Sequence, residues 1–238
     1  MGTNKYKKNT GHTMISSAIS PNPGPGFLLR TALPGAFTLL AALYMFLDAA
    51  GWQGLWMVTL KAAPIAVLGV MATGMLVGTT RTLTLLALAF SALGDVLLAL
   101  EFPLQFVAGL AAFLVAQLIY TGNFLRGAQF RSQRFLIRAL PLLLAASLLA
   151  SQLMPAAGPL APAVFCYLLA ITAMALSAAA HRGNSGLLFA GAIIFMISDT
   201  LIAVNRFLMP LPMAGTAIMV TYYGAQLALL YGIGRARA

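Results

Sequence analysis

The sequence predicts an all-α membrane protein, a polytopic bundle of about eight transmembrane helices. Three observations predict it: the composition, the spacing of the apolar runs and the distribution of the basic residues. Of the 238 residues, 61% are hydrophobic and only 8% are charged, whereas about a quarter of the residues in a soluble domain are charged. Because so few charges cannot cover a soluble fold of this length, we expect the chain to lie in a lipid bilayer.

Each apolar run is long enough to cross a hydrocarbon core, which takes about 20 helical residues. The runs are too long for membrane strands and lack the period-two alternation of such strands. We therefore divide the chain into a polar tail at 1–27, one transmembrane domain at 28–233 and a short basic tail at 234–238. The predicted spans are 28–48, 54–75, 81–100, 104–125, 136–153, 160–180, 184–204 and 212–233.

The basic residues are sorted to one side of the predicted helices, and only Lys61 and Arg206 fall on the other side. We expect an inner-membrane protein, and the positive-inside rule predicts that both of its termini lie in the cytoplasm. The net charge of +10 reflects this topology, and we expect no nucleic-acid binding. The basic residues on the predicted cytoplasmic side are Lys5, Lys7, Lys8, Arg30, Arg81, Arg126, Arg131, Arg134, Arg138, Arg182, Arg235 and Arg237.

A weak internal repeat relates the two halves of the chain. Residues 94–100 (GDVLLAL) resemble residues 198–204 (SDTLIAV), and both segments lie in the third helix of a four-helix half. The helices that follow them share Ala-Gln-Leu, at 116–118 and at 225–227. Two parallel halves related by an axis along the membrane normal would give this 4+4 pattern. Because the match is short and mostly apolar, a chance origin stays open.

The chain has four acidic residues, and two of them fall inside predicted spans. Asp48 and Glu101 lie at predicted helix ends, where we expect solvated termini. Asp95 and Asp199 instead lie within the hydrocarbon region, where an unpaired carboxylate costs several kcal/mol. We therefore predict a functional role for Asp95 and Asp199; a pair of polar locks between helices is the structural alternative.

Other polar residues fall at a similar depth in the predicted bundle. Lys61 lies in the same outer half of the membrane as the two aspartates, and Asn205 and Arg206 follow Asp199 by about two turns. These groups are expected to line a cavity open to the outer side, unless Lys61 and Arg206 extend to the interface. Further candidates, which could instead bond a neighbouring helix, are Gln117, Tyr120, Tyr167, Tyr222, Tyr223 and Gln226. Since Tyr222 and Tyr223 are adjacent, at most one of them easily faces a given cavity.

A pair of carboxyl groups in one apolar cavity can act as an acid and a base. The charge on one opposes ionisation of the other, so one keeps its proton while its partner is ionised. This pair suits acid-catalysed hydrolysis, and it suits a proton-coupled transporter equally well. No Cys/His metal cluster is visible in the sequence, so we expect neither a metal nor a cofactor. Cys166, in an apolar run, is predicted to be a small buried hydrophobic residue.

Several short segments together resemble the YhhN-like lysoplasmalogenase family. They are Lys-Ala-Ala-Pro at 61–64, Gly-Asp-Val-Leu-Leu at 94–98, Ala-Gln-Leu-Ile-Tyr at 116–120, Phe-Met-Ile-Ser-Asp-Thr-Leu-Ile-Ala-Val-Asn-Arg-Phe at 195–207 and Tyr-Tyr-Gly-Ala-Gln at 222–226. The resemblance covers roughly residues 30–233, and its most specific part is the segment from Ser198 to Phe207. The sequence departs from the family where Pro64 follows Lys61 by three residues, and where Gln117 replaces a frequent histidine.

The resemblance implies an eight-helix membrane enzyme that hydrolyses the vinyl ether bond of lysoplasmalogens. Its partners would be a lysophospholipid substrate and the lipid bilayer, and its oligomeric state is left open. In this interpretation Asp95 and Asp199 supply the acid and the base jointly, while Lys61 and Arg206 hold the substrate phosphate. The main alternative is a proton-coupled transporter or exporter of lipids or other amphipaths. An intramembrane aspartyl protease is a third hypothesis, although the Gly-x-Gly-Asp motif of such proteases is incomplete in this chain at 92–95.

Overall fold

The computed structural model describes residues 31–237 together with Met1, and this part of the chain is helical and contains no β-sheet. The all-α prediction is therefore confirmed. The rest of the predicted tail at 1–27 and the start of the first predicted span lie outside the described residues. The helices are α1 (Leu33–Ala49), α2 (Leu55–Met75), α3 (Gly78–Ala99), α4 (Gln105–Leu125), α5 (Gln133–Ala156), α6 (Ala161–Ala180), α7 (Gly186–Ala203) and α8 (Ala214–Arg237).

Seven of these described helices are long and apolar enough to cross a membrane. The exception, α1, has 17 residues, which is at the lower limit of about 17–25 for a transmembrane helix. The ends of α2 to α8 agree with the predicted spans to within a few residues. The largest difference is at α8, which continues past the predicted boundary at 233 as far as Arg237. The chain is thus an integral membrane protein with eight helices in its described part.

Six helices pack in a closed cycle of neighbours, and the other two lie outside it. In the cycle, α2 packs on α3, α3 on α4, α4 on α6, α6 on α7, α7 on α8 and α8 on α2. Helix α1 packs from outside against α2 and α8, and α5 packs from outside against α6. The helices of the cycle thus have counterparts four helices later with equivalent neighbours, and α5 packs on α6 as α1 packs on α2. The 4+4 repeat in the sequence predicts this arrangement.

Glycines allow α7 and α8 to approach closely. A Cβ atom at Gly232 would lie 2.5 Å from the backbone nitrogen of Leu188, and one at Gly191 would lie 2.8 Å from the backbone nitrogen of Leu229. Without a hydrophobic driving force between helices in lipid, such close van der Waals packing holds helices together. Because α7 carries Asp199, this contact also fixes one side of the candidate site.

The variant Gly232→Ala is expected to destabilise the fold by about 1–3 kcal/mol, since backbone atoms of α7 would have to move away from the new Cβ. Gly224→Ala, in the same helix, is the matched control. A Cβ at Gly224 meets nothing within 4 Å, and alanine favours a helix by about 1 kcal/mol over glycine. Thermal unfolding in detergent should therefore show a lower midpoint for Gly232→Ala and an equal or higher one for Gly224→Ala. Equal midpoints in the two variants would contradict the close-packing argument.

Cys166 differs from its prediction as a buried residue. It is exposed on the outer surface of α6, and the prediction of burial was wrong. In a membrane that surface faces lipid, which suits a small apolar thiol as well as a protein core does.

Candidate active site

Asp95 on α3 is held by a hydroxyl group from the opposite half of the bundle. Its side chain is only 2% exposed, and the Oη of Tyr222 on α8 donates a hydrogen bond of 2.6 Å to its Oδ2. A buried carboxyl group needs such a donor, because an unpaired one is costly in an apolar interior. Tyr222 therefore fixes both the position and the orientation of the Asp95 carboxyl group.

Asp199 on α7 is held in the same manner by two donors. The Nε2 of Gln117 on α4 donates a hydrogen bond of 3.0 Å to its Oδ2, and the hydroxyl of Tyr167 on α6 donates to the same oxygen. Among the described residues both donors reach Oδ2, so Oδ1 is the oxygen left for a substrate or a water. The Oε1 of Gln117 is itself buried without a hydrogen-bond partner in the described part of the chain.

The two aspartates are neighbours in one aromatic region. They are close enough to interact electrostatically. The rings of Phe113 and Phe195 pack edge-on against Tyr222, with centroids 5.7 and 5.8 Å from it. Phe113 also lies against Gly94, where a Cβ would be 2.6 Å from its ring, and it borders the cavity that Asp199 lines. Phe113 thus lies between the two carboxyl groups.

The cavities beside the aspartates differ in size and polarity. Asp199 lines two small apolar cavities of about 40 and 30 Å³. A cavity of about 850 Å³ lies at the end of the bundle formed by the last turn of α1 and α3 and the first turns of α2. Leu98, one turn beyond Asp95, borders both the large cavity and the larger of the two small ones. The single open cavity predicted from the sequence is therefore divided, and Leu98 lies between its parts.

Lys61 on α2 lines the large cavity and is close enough to Asp95 to interact electrostatically. The Oη of Tyr223 donates a hydrogen bond of 2.7 Å to the backbone oxygen of Lys61, which fixes this part of α2. Tyr222 and Tyr223 thus point to different partners, as adjacent helical positions predict. Lys61 connects the large cavity with the first aspartate.

Three other candidates lie away from the aspartates. The Oη of Tyr120 donates to the Oε1 of Gln226 at 2.9 Å, so its hydroxyl serves to join α4 to α8. The Oδ1 of Asn205 accepts a hydrogen bond of 2.8 Å from the backbone of Leu211, which shapes the turn before α8. The guanidinium of Arg206 lies 3.9 Å from the centroid of the Phe106 ring. Phe106 borders the small cavity of Asp199, but Arg206 itself lines neither that cavity nor the large cavity of Lys61.

Two residues of this region carry no signal in the sequence. Phe113 and Leu98 are apolar residues in apolar helices. Only the packed structure shows that Leu98 borders two cavities and that Phe113 contacts Tyr222 and lines a cavity with Asp199. No group of three or more His, Cys, Asp or Glu side chains that could hold a metal ion occurs within the described residues. The arrangement offers two buried carboxyl groups, three donors to them and one nearby cation.

Comparisons with known proteins agree on one family. The model of the YhhN family matches residues 56–233, a range that includes both aspartates, Lys61 and Tyr222. Lysoplasmalogenase TMEM86B of Sus scrofa is 35% identical over 149 residues, which are 63% of this chain and 62% of that protein. Lysoplasmalogenase TMEM86B of Homo sapiens is 35% identical over 143 residues, 60% of this chain and 59% of that protein.

A third relative, lysoplasmalogenase TMEM86A of Homo sapiens, is 31% identical over 161 residues, 62% of this chain and 63% of that protein. The chain thus spans about three fifths of the length of the curated relatives that it matches. No solved structure matches it. Because the family model covers most of the chain and both halves of the site, this protein belongs to the YhhN family.

Proposed function

We propose that this protein hydrolyses the vinyl ether bond of lysoplasmalogens and releases a fatty aldehyde and a glycerophospho-base. One observation carries the proposal: two carboxyl groups from distant parts of the chain, Asp95 and Asp199, border one aromatic region, because Phe113 packs on the tyrosine that bonds Asp95 and lines a cavity together with Asp199. Each is held by a tyrosine hydroxyl from another helix. The names of the three relatives, all lysoplasmalogenases, support it.

The chemistry needs one acid, one base and one water. A protonated carboxyl group transfers its proton to the alkene carbon remote from the ether oxygen, which leaves an oxocarbenium ion. The ionised carboxylate stabilises this cation and takes a proton from the attacking water. In the collapse of the resulting hemiacetal, the carboxyl group that took the proton from water gives it to the ether oxygen, and the bond between that oxygen and carbon breaks. The hemiacetal hydroxyl gives its proton to the other carboxylate and becomes the aldehyde oxygen. The products together contain the atoms of the substrate and of one water, and both carboxyl groups return to their initial states.

Substrate binding requires access to the aspartates from the two kinds of cavity. The polar end of the lysolipid fits the large cavity, where Lys61 offers a cation for the phosphate. The alkenyl chain would leave on the apolar side, where Asp199 borders the small cavities of about 40 and 30 Å³, and would extend into lipid because these cavities are too small to enclose it. Leu98 and Phe113 would then move aside when the vinyl ether lies between the carboxyl groups.

Purified protein in detergent or nanodiscs, mixed with an alkenyl lysophospholipid, is expected to release one fatty aldehyde for each substrate consumed. Mass spectrometry of the aldehyde and of the glycerophospho-base would measure both products. A saturated alkyl ether lysolipid is the control, because it lacks the alkene that accepts the proton. A proton-gradient-dependent flux of lipid without aldehyde would instead favour a transporter.

We further propose that the chain lies in the inner cell membrane with both termini in the cytoplasm. The arginines support this orientation, since Arg81, Arg126, Arg131 and Arg182 lie in or next to the connections on the side where α8 ends. The large cavity then opens to the outer side.

In a Cys166→Ala background, a cysteine at Gln53 should react with an impermeant thiol reagent in intact cells, and one at Arg131 should not.

A further inference from the structure

The large cavity carries charges of both signs. Lys61 on α2, Asp48 at the end of α1 and Glu101 just after α3 all line its wall of about 850 Å³. The chain has four acidic residues, and the two that are not at the candidate active site border this one cavity. The wall is thus complementary to a ligand that carries both an anion and a cation.

An exposed tryptophan adds a third feature to the same wall. Trp52 lines the cavity and is 57% exposed. Its ring packs edge-on against Trp56, with centroids 6.0 Å apart, which holds the indole in place. An indole face attracts ammonium groups, and quaternary ones especially, through the charge distribution of its π-system. Trp52 therefore adds to the attraction that Asp48 and Glu101 exert on a cation.

We propose that this cavity binds the zwitterionic head group of a lysophospholipid, with the phosphate on Lys61 and the ammonium group between Asp48, Glu101 and Trp52. The inference rests on the proposed function and assigns the residues that recognise the ammonium group of its substrate. The placement of Lys61 gives the direction, because Lys61 lines the cavity and is the cation that interacts with Asp95. A phosphate on Lys61 directs the glycerol and the ether bond towards the aspartates and leaves the ammonium group at the mouth.

The same charges act against head groups that lack an ammonium group. A phosphoglycerol or bare phosphate head group would meet Lys61 equally well. It would, however, leave Asp48 and Glu101 without a cation and would bring further negative charge near them. We therefore expect ammonium-bearing lysolipids, whether choline or ethanolamine, to bind more tightly than lysolipids with phosphoglycerol or phosphate alone.

Intrinsic fluorescence can measure this binding without catalysis. The chain has two tryptophans, and both lie at the cavity, since Trp52 lines it and Trp56 packs on Trp52. Titration with a short-chain saturated alkyl ether lysophosphocholine, which has no vinyl ether, should change the emission of the purified protein. The phosphoglycerol analogue should need about tenfold higher concentration to give the same change.

The variants Asp48→Asn and Glu101→Gln, singly and together, test the assignment of the ammonium subsite. The double variant should lose about tenfold in affinity for the phosphocholine probe and bind the phosphoglycerol probe as well as the wild type does, or better. Asp48→Glu is the matched control, because it keeps the charge and should retain the preference. Equal binding of both probes to the wild type, or an equal loss for both in the double variant, would overturn the inference. Absence of aldehyde release together with selective binding of phosphocholine would overturn only the proposed hydrolysis.

Discussion

Replacement of either intramembrane aspartate by asparagine, as Asp95→Asn or Asp199→Asn, is expected to lower aldehyde release by at least about 100-fold. Asparagine has nearly the same shape and keeps an oxygen that can accept the hydrogen bond of Tyr222 or Tyr167. It cannot, however, give a proton to the alkene or take one from water. The rate of aldehyde release by purified variants, normalised to folded protein, measures the effect.

The double variant separates catalysis from a structural role. If the two carboxyl groups act as one acid–base unit, Asp95→Asn with Asp199→Asn should be no slower than either single variant. If they were polar locks between helices, their losses of stability would instead add, and activity would fall in parallel with the unfolding temperature. Ser177→Ala is a suitable control, because Ser177 is buried on α6 but its hydroxyl bonds only the backbone of its own helix in the described structure. Full activity in either single variant would remove this mechanism.

The sequence predicts how deep a residue lies in the membrane better than it predicts its direction. A rise of 1.5 Å per residue sets the depth of Asp95, Asp199 and Lys61 once the spans are known. The spans themselves follow from long apolar runs, which is why the predicted and observed helix ends nearly coincide. The sequence does not predict how each helix is rotated relative to its neighbours, because apolar residues face both lipid and protein. Cys166 shows this, since nothing in its apolar run distinguishes the lipid-facing side of α6 from the buried one.

The partners of the polar residues also depend on which helices are neighbours. The packing of α4 on α6 brings Gln117 and Tyr167 to the same carboxylate, and these helices are not consecutive in the chain. Arg206 was predicted to hold a phosphate together with Lys61, but its guanidinium packs on Phe106. Its distance of two turns from Asp199 sets the depth of Arg206 in the membrane. It does not set the direction in which the side chain points around the helix axis. The divided cavity depends in the same way on Leu98, whose position between the two parts only the packed structure reveals.

Removal of the hydroxyl of Tyr222 should slow aldehyde release more than removal of the hydroxyl of Tyr167. Tyr222→Phe removes the hydroxyl that donates to Asp95, and Tyr167→Phe removes one of the two donors to Asp199. A hydrogen bond to a charged group contributes about 1.5–3 kcal/mol, so loss of the donor to Asp95 should slow aldehyde release by about 10–100-fold. The effect of Tyr167→Phe should be smaller, because Gln117 still orients the Asp199 carboxyl group.

Tyr120→Phe is the matched control for both tyrosine variants. Tyr120 is also buried and also donates to a side chain, but its partner is Gln226 rather than a carboxylate. The loss of its hydroxyl should therefore lower the unfolding temperature without a comparable loss of kcat. Single-turnover rates of aldehyde release for the three variants would test this order of effects. Tyr222 contacts a carboxyl group and Tyr120 does not. If Tyr120→Phe slowed the reaction as much as Tyr222→Phe, this contact would not explain the effect, and the hydroxyls would act through the packing of the helices.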